Sequence, residues 1–156
     1  MNTTAICTAV VARLRADQGS GCLFASGGGS GLITGVYRNE APGNATLPYV
    51  VLGVSVDSTD NTFTSRTLVT TVAVQIYTTI ESAPSVVTAI ELRIFGNAMS
   101  QTDRAPSFGL DNHNLSLTVG NFAGGTMEFI SGADISDRDR NASELTFRVR
   151  QTWSAS

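Results

Sequence analysis

Few residues in this chain are spaced for chemistry. His113 is the only histidine and sits in Asp111-Asn-His-Asn114, with no nucleophile or second histidine beside it. A general base needs a proton within reach and a partner that orients it, so His113 is expected to be a solvated loop side chain. Serines are frequent, yet no Gly-x-Ser-x-Gly elbow occurs. Asp57 and Asp60 bracket one polar stretch, and Asp134, Asp137 and Asp139 surround another. Clustered carboxylates can take a divalent cation, but an EF-hand loop needs a fuller ligand series closed by a distal Glu. Asp and Asn are also the ordinary residues of turns, and the turn reading is preferred at both places. Cys7 and Cys22 are the only cysteines; they form no CxxC and no His or Cys cluster joins them. Cys7 falls on a helical apolar pattern and reads as a buried free thiol, while spacing leaves a Cys7–Cys22 disulfide open. The Gly/Ser-rich stretch 18–31, with Ser26-Gly-Gly-Gly-Ser-Gly31, lacks the Gly-Lys-Ser/Thr of a P-loop and has no strand before it. It reads as a flexible surface loop. The expectation is therefore a protein without catalytic residues, cofactor or metal.

Composition points the same way. A chain of 156 residues is expected to form one domain, 1–156, with a real core. Hydrophobic residues make up 42% and charged residues only 15%, so many surface positions must be Ser, Thr, Asn or Gly. Such a surface suits contact with other subunits. The net charge of −3 gives no global basic signal for nucleic acid. All ten basic residues are Arg. The N-terminus lacks the basic segment and long apolar core of a secretion signal, and no apolar run approaches membrane-spanning length. Cytoplasmic synthesis without membrane contact is expected.

The elements that must position these residues are legible from periodicity. Ile6, Val10 and Leu14, with Cys7 and Val11 beside them, make one apolar face of a helix from Thr3 or Thr4 to about Asp17. Leu32–Tyr37 is expected to be a short strand. Two β-branched runs between Leu47 and Tyr77 flank the polar stretch Asp57–Asn61, which predicts a long antiparallel hairpin at 48–77 with its turn there. Val50, Leu52, Val54 and Val56 share one face of the first run; Leu68, Val72, Val74 and Ile76 share one face of the second. The opposite face, with Tyr49, Gly53, Ser55, Thr71, Ala73, Gln75 and Tyr77, is mildly polar and open to cover by another element or subunit. Ser82 is expected to cap a second helix reaching about Ser100. Its stripe Ala83, Val87, Ile90, Ile94 and Ala98 should pack on the sheet, while Leu92, Phe95 and Met99 form a second apolar side. Leu115, Leu117 and Val119 alternate as a strand, and Asn121–Gly125 reads as a turn. Met127, Phe129, Ala133 and Ile135 are expected to share a face, a turn follows at 136–141, and Leu145, Phe147, Val149 and Trp153 point inward from the last strand. The fold class is α+β: a mainly antiparallel sheet with two helices packed on it.

The order of these pieces resembles a known family. The marks are an amphipathic first helix, the Ala41-Pro42 loop, Leu47-Pro-Tyr-Val-Val-Leu-Gly53, the long strand Ser65-Arg-Thr-Leu-Val-Thr-Thr-Val-Ala-Val-Gln-Ile-Tyr77, a helix after Glu81, and the closing Leu145-Thr-Phe-Arg-Val-Arg150. The chain resembles the tail-completion, or tail-terminator, proteins of long-tailed bacteriophages. The Gly-rich stretch 18–31 is longer than that pattern. The resemblance implies a structural virion protein, assembled in the host cytoplasm, that forms a ring at the top of the tail. That ring, usually a homohexamer, caps the tail tube, stops its polymerisation and joins the tail to the head connector. Its partners would be itself, the tail tube protein and the head–tail connector or stopper protein. DNA would meet it only in transit through the lumen, which a negative ring would not hold by phosphate contacts.

Two sets of residues are expected to serve this role. Asp57, Asp60, Asn61, Phe63 and Arg66 form a candidate axial docking tip, and Leu92, Phe95 and Met99 a candidate subunit seam. Two other readings stay open. One is a different neck component, such as a head-completion or connector adaptor protein. The other is a small ligand-binding α+β domain with a non-local pocket.

Overall fold

The computed structural model describes residues 3–17, 22–24, 31–61, 66–79, 84–95, 109–111, 114–119 and 122–153. The elements are α1 (Thr3–Arg15), β1 (Val36–Arg38), β2 (Tyr49–Asn61), β3 (Arg66–Thr79), α2 (Pro84–Phe95), β4 (Asn114–Val119), β5 (Phe122–Asp134) and β6 (Arg140–Trp153). All six strands form one sheet, in the order β1-β2-β3-β6-β5-β4. The class is α+β and the sheet is mixed. β2–β3, β3–β6, β6–β5 and β5–β4 pair antiparallel. β1 adds to β2 in parallel, with Val36 opposite Val50 and Arg38 opposite Leu52.

α1 touches β1 and β2 near one end of the strand order and β4 at the other. Four inter-strand steps of about 4.8 Å span ~19 Å in a flat sheet, wider than a helix of about 10 Å. The sheet therefore curls around its helices as a half-barrel. α2 packs against β3. Both helices feed one core: Ile6, Val10, Leu14, Ile90 and Ile94 meet Val50, Leu52, Val72, Val74, Ile76, Phe147 and Val149. Arg13 and Arg15 lie in the last turn of α1, where the helix dipole favours positive charge.

Several boundaries differ from the periodicity reading. The first short strand lies at Val36–Arg38, later than Leu32–Tyr37. Asp57–Asn61 is not a turn: β2 continues through it, and Asn61 pairs with Arg66. A bulge between Val56 and Ser58 also shifts the register. Asn121–Gly125 is likewise not a turn, since β5 already runs from Phe122. Gly124 (φ 92°) and Gly125 (φ 115°) hold positive φ values inside the strand. They form a bulge that opposes Gln151 and Arg150, a backbone path that favours glycine.

A second β5 bulge, between Phe129 and Ser131, corrects another expectation. It inserts a residue, so alternation slips by one. Met127, Phe129 and then Gly132 oppose core residues Val149, Phe147 and Leu145. Ala133 falls on the other face and is exposed. α2 is described to Phe95; the expected Ser82 cap, Ala83, and the continuation through Ala98 to Ser100 lie outside the described residues, as do most of 18–31 and His113.

Candidate assembly surface

One ion pair ties the chain just past α1 to α2. Asp17, just past α1, is 4% exposed and pairs with Arg93 of α2. Arg93 donates to Asp17 through Nε at 3.1 Å and also through Nη2. The backbone N–H of Leu23 donates to Asp17 Oδ2 at 2.9 Å, and Arg93 Nη2 lies 3.1 Å from Cys22 Sγ. Burial raises the Asp17 pKa, but hydrogen bonds from Arg93, Leu23 and Cys22 outweigh it and hold the carboxyl below its ordinary value. Residues 109–111 make a second tie. Leu110 and Asp111 donate backbone N–H bonds to the last carbonyls of α2, Ile94 and Phe95, at 2.8 and 3.0 Å. These carbonyls have no partner inside a helix. Gly109 O accepts from Arg13 Nε of α1 at 2.9 Å, and Asp111 Oδ1 accepts from the Phe129 N–H of β5 at 3.3 Å.

The sheet face away from the helices carries a row of tyrosines. Tyr37, Tyr49 and Tyr77 come from β1, β2 and β3, with ring centroids 5.7 and 5.4 Å apart. Arg140, at the start of β6, lies 4.3 Å over the Tyr77 ring and donates to Tyr49 Oη at 2.6 Å. Gln75 donates to Glu144 at 2.9 Å and accepts from Tyr77 Oη at 3.0 Å. The Asp-Arg-Asp-Arg run at 137–140 thus reaches the aromatic row through Arg140. Asp137 Oδ1 accepts from the backbone N–H groups of Asp139 and Arg140, at 2.9 and 3.1 Å. These bonds hold its carboxyl below the ordinary range, as befits a turn former.

The expected site residues part company here. Asp57, Asp60 and Asn61 lie in the last stretch of β2 and Arg66 opens β3, so their backbones share the far end of one hairpin. Phe63 and Met99 lie outside the described residues. Leu92 is 38% exposed on α2, as is Val86 at 37%. Phe95 instead packs on Phe129 of β5, at 4.7 Å, and on Phe147 of β6, at 6.4 Å. Its ring is thus engaged within the subunit. A cavity of about 520 Å³ opens between α2 and the β5–β6 end, lined by Val87, Glu91, Gly132, Asp134 and Asn141 among others. Its charged lining residues are both acidic, and Ser143 donates to Glu91 at 2.7 Å.

Among the described residues no group of three or more His, Cys, Asp or Glu is placed to hold a metal. Both cysteines are free. Burial pushes the Cys7 thiol up, away from the thiolate a nucleophile needs. No described helix is long and apolar enough to cross a membrane. What this geometry offers is surface: a long hairpin, an exposed apolar helix side and an aromatic sheet face.

The family model described as "Tail completion protein gp17" matches residues 8–154. The chain belongs to this family, and it is a structural protein of the bacteriophage tail. A chain of the solved structure "Virion of native gene transfer agent (GTA) particle" shares the fold at a TM-score of 0.50. It is 22% identical, over 75% of this chain and 78% of that one. No curated protein matches the chain in sequence.

Proposed function

We propose that this chain is the ring-forming tail terminator of its virion. A ring of identical subunits, a homohexamer, caps the tail tube, stops its polymerisation and joins it to the head connector, and DNA passes through the lumen. The observation that carries this reading is the family match over 8–154, nearly the whole chain. The unit that matches is therefore the folded domain itself. The virion origin of the chain that shares its fold supports the same reading. The partners are the tail tube protein on one ring face and the head–tail connector or stopper protein on the other. A heterologous contact closes into a ring when its rotation divides the circle.

In this reading the far end of the β2–β3 hairpin docks axially, through Asp57, Asp60, Asn61, Phe63 and Arg66. Removing residues 58–62 alone would break one strand and leave its partner unpaired, because Ser58–Asn61 pair with Arg66–Val69. The informative variant replaces 59–68 with a two-residue Asn-Gly turn, which shortens both strands in register. Soluble, folded protein that no longer caps tails is the expected result, read as overlong or unjoined tails in electron micrographs. Tails of normal length joined to heads would count against the tip, and heads that leak DNA would indicate an adaptor role instead.

Of the expected seam residues Leu92, Phe95 and Met99, exposed Leu92 carries the proposal, since the Phe95 ring packs on Phe129 and Phe147 of its own subunit. Leu92→Asp lies in the last turn of α2 on an exposed side and should cost the monomer about 1 kcal/mol, too little to unfold it. It is expected to lower ring yield in native mass spectrometry, and an unchanged ring would remove Leu92 from the seam.

A further inference from the structure

We infer that neighbouring chains of the ring pair edge to edge: segment 53–61 of β2 in one copy adds antiparallel to segment 130–134 of β5 in the next, so the sheet continues between subunits. This rests on the ring reading above. The outermost strands cover little of their neighbours. β2 has 13 residues, but β1 pairs only with Val50–Leu52. β5 also has 13 residues, and β4 pairs with it only between Phe122 and Thr126. Among the described residues, 53–61 and 130–134 therefore lack a strand partner on their outer side, while the outward Phe129 N–H is taken by Asp111. An uncovered edge is a template for another strand. Neither segment holds a Pro, which would remove a main-chain donor from the edge. Gly53, Ser55, Ser131, Gly132 and Ala133 are small enough to let a second backbone approach.

The direction of the backbone groups fits this pairing. On β2, Val50 N donates to Gly35 O at 3.0 Å and Leu52 O accepts from Asn39 N at 2.8 Å. The even-numbered, core-facing residues thus point their main-chain groups outward, and Val54 and Val56 follow by alternation. On the other edge, Phe129 points its N–H outward to Asp111. Ala142 O, by contrast, bonds across to Ile135 N on the β5 side. The main-chain groups of Ala133 and Ser131, opposite Glu144 and Thr146, then face β6, and those of Gly132 and Asp134, on the sheet face of Leu145, point out. Four strands, β2-β3-β6-β5, run alternately up and down. Because their number is even, core-facing residues point outward at both edges, and β2 runs opposite to β5. A second copy set head-to-tail therefore continues the antiparallel alternation with core face beside core face. An odd number would have required one sheet to turn over. Each edge carries one bulge, at Val56/Ser58 and Phe129/Ser131, so the junction forms as short ladders. Ile130, 41% exposed at the second bulge, lies beside the incoming strand. A heterologous contact of this kind is the type that closes rings.

Hydrogen–deuterium exchange on the full chain tests the inference, comparing monomer with the ring, formed alone or on tail tubes. Peptides covering 53–61 and 130–134 are expected to slow about tenfold or more on assembly. Ser55→Cys with Ser131→Cys should give an interchain disulfide ladder on oxidation that the parent chain, with Cys7 and Cys22, does not give. Ile130→Lys should keep the monomer's melting temperature and lower ring yield. A ring whose two edge peptides still exchange at the monomer rate would overturn edge pairing while the terminator reading stood. A chain that forms no ring either alone or on tubes would overturn both.

Discussion

Arg93→Met is expected to destabilise the subunit by about 3 kcal/mol or more, because it strands Asp17, 4% exposed, without its cation. Breaking a buried pair from one side costs roughly 3–5 kcal/mol, since the remaining charge keeps its desolvation cost. Arg93 is 21% exposed, so Asp17→Asn, which leaves the guanidinium partly solvated, should cost less. The backbone bond to Leu23 softens the first loss without replacing it. For a chain of this size, about 3 kcal/mol corresponds to a fall of roughly 6–12 °C in melting temperature. The sign of the pH dependence follows from the depressed carboxyl. Its stabilisation is present above the unfolded value of about 3.9 and is lost as pH falls through the lower folded value. Parent protein should therefore lose stability below about pH 4 more steeply than Asp17→Asn. Equal acid slopes in thermal melts from pH 2 to 6 would remove this pair from the account.

Phe147→Ala is expected to have a comparable or larger effect, about 3–5 kcal/mol. Phe147 is fully buried on β6, opposite Val72 of β3 and Phe129 of β5. Its ring stands 5.7 Å from Phe129 and 6.4 Å from Phe95, so its loss opens a cavity where both central strand pairs and α2 converge. Thr146→Ala, one residue away on the opposite face, is the control and should stay within about 0.5 kcal/mol. Urea denaturation of the two variants reads the difference directly. Similar midpoints would mean that the core relaxes to fill the space.

Much of the fold was legible in the chain because periodicity carries it. The stripe Ile6, Val10 and Leu14 has helical spacing, and all three residues are fully buried. The alternation of Leu145, Phe147 and Val149 marked the inward face of β6 in the same way. Where a strand bulges, that logic fails. Phe129/Ser131 sets Gly132 opposite Leu145 and Ala133 opposite Glu144, and no spacing rule announces an inserted residue. Polar composition likewise concealed the end of β2, since Asp57–Asn61 looks like a turn but is paired as strand. Phe95 and Leu92 read alike as a second apolar side of α2, yet packing turned one inward and left the other exposed.

The sequence by itself determined the local elements, the α+β class, the family and the absence of any catalytic signature in its motifs. These follow from residue type and short-range spacing. Tertiary structure decided what depends on residues distant in the chain. It joined Asp17 to Arg93, 76 positions away, and aligned Tyr37, Tyr49 and Tyr77 with Arg140. It added β1 in parallel, and it left β2 and β5 each half covered. Strand order and register arise from which hydrophobic faces close on one core together, and a linear pattern does not contain that choice.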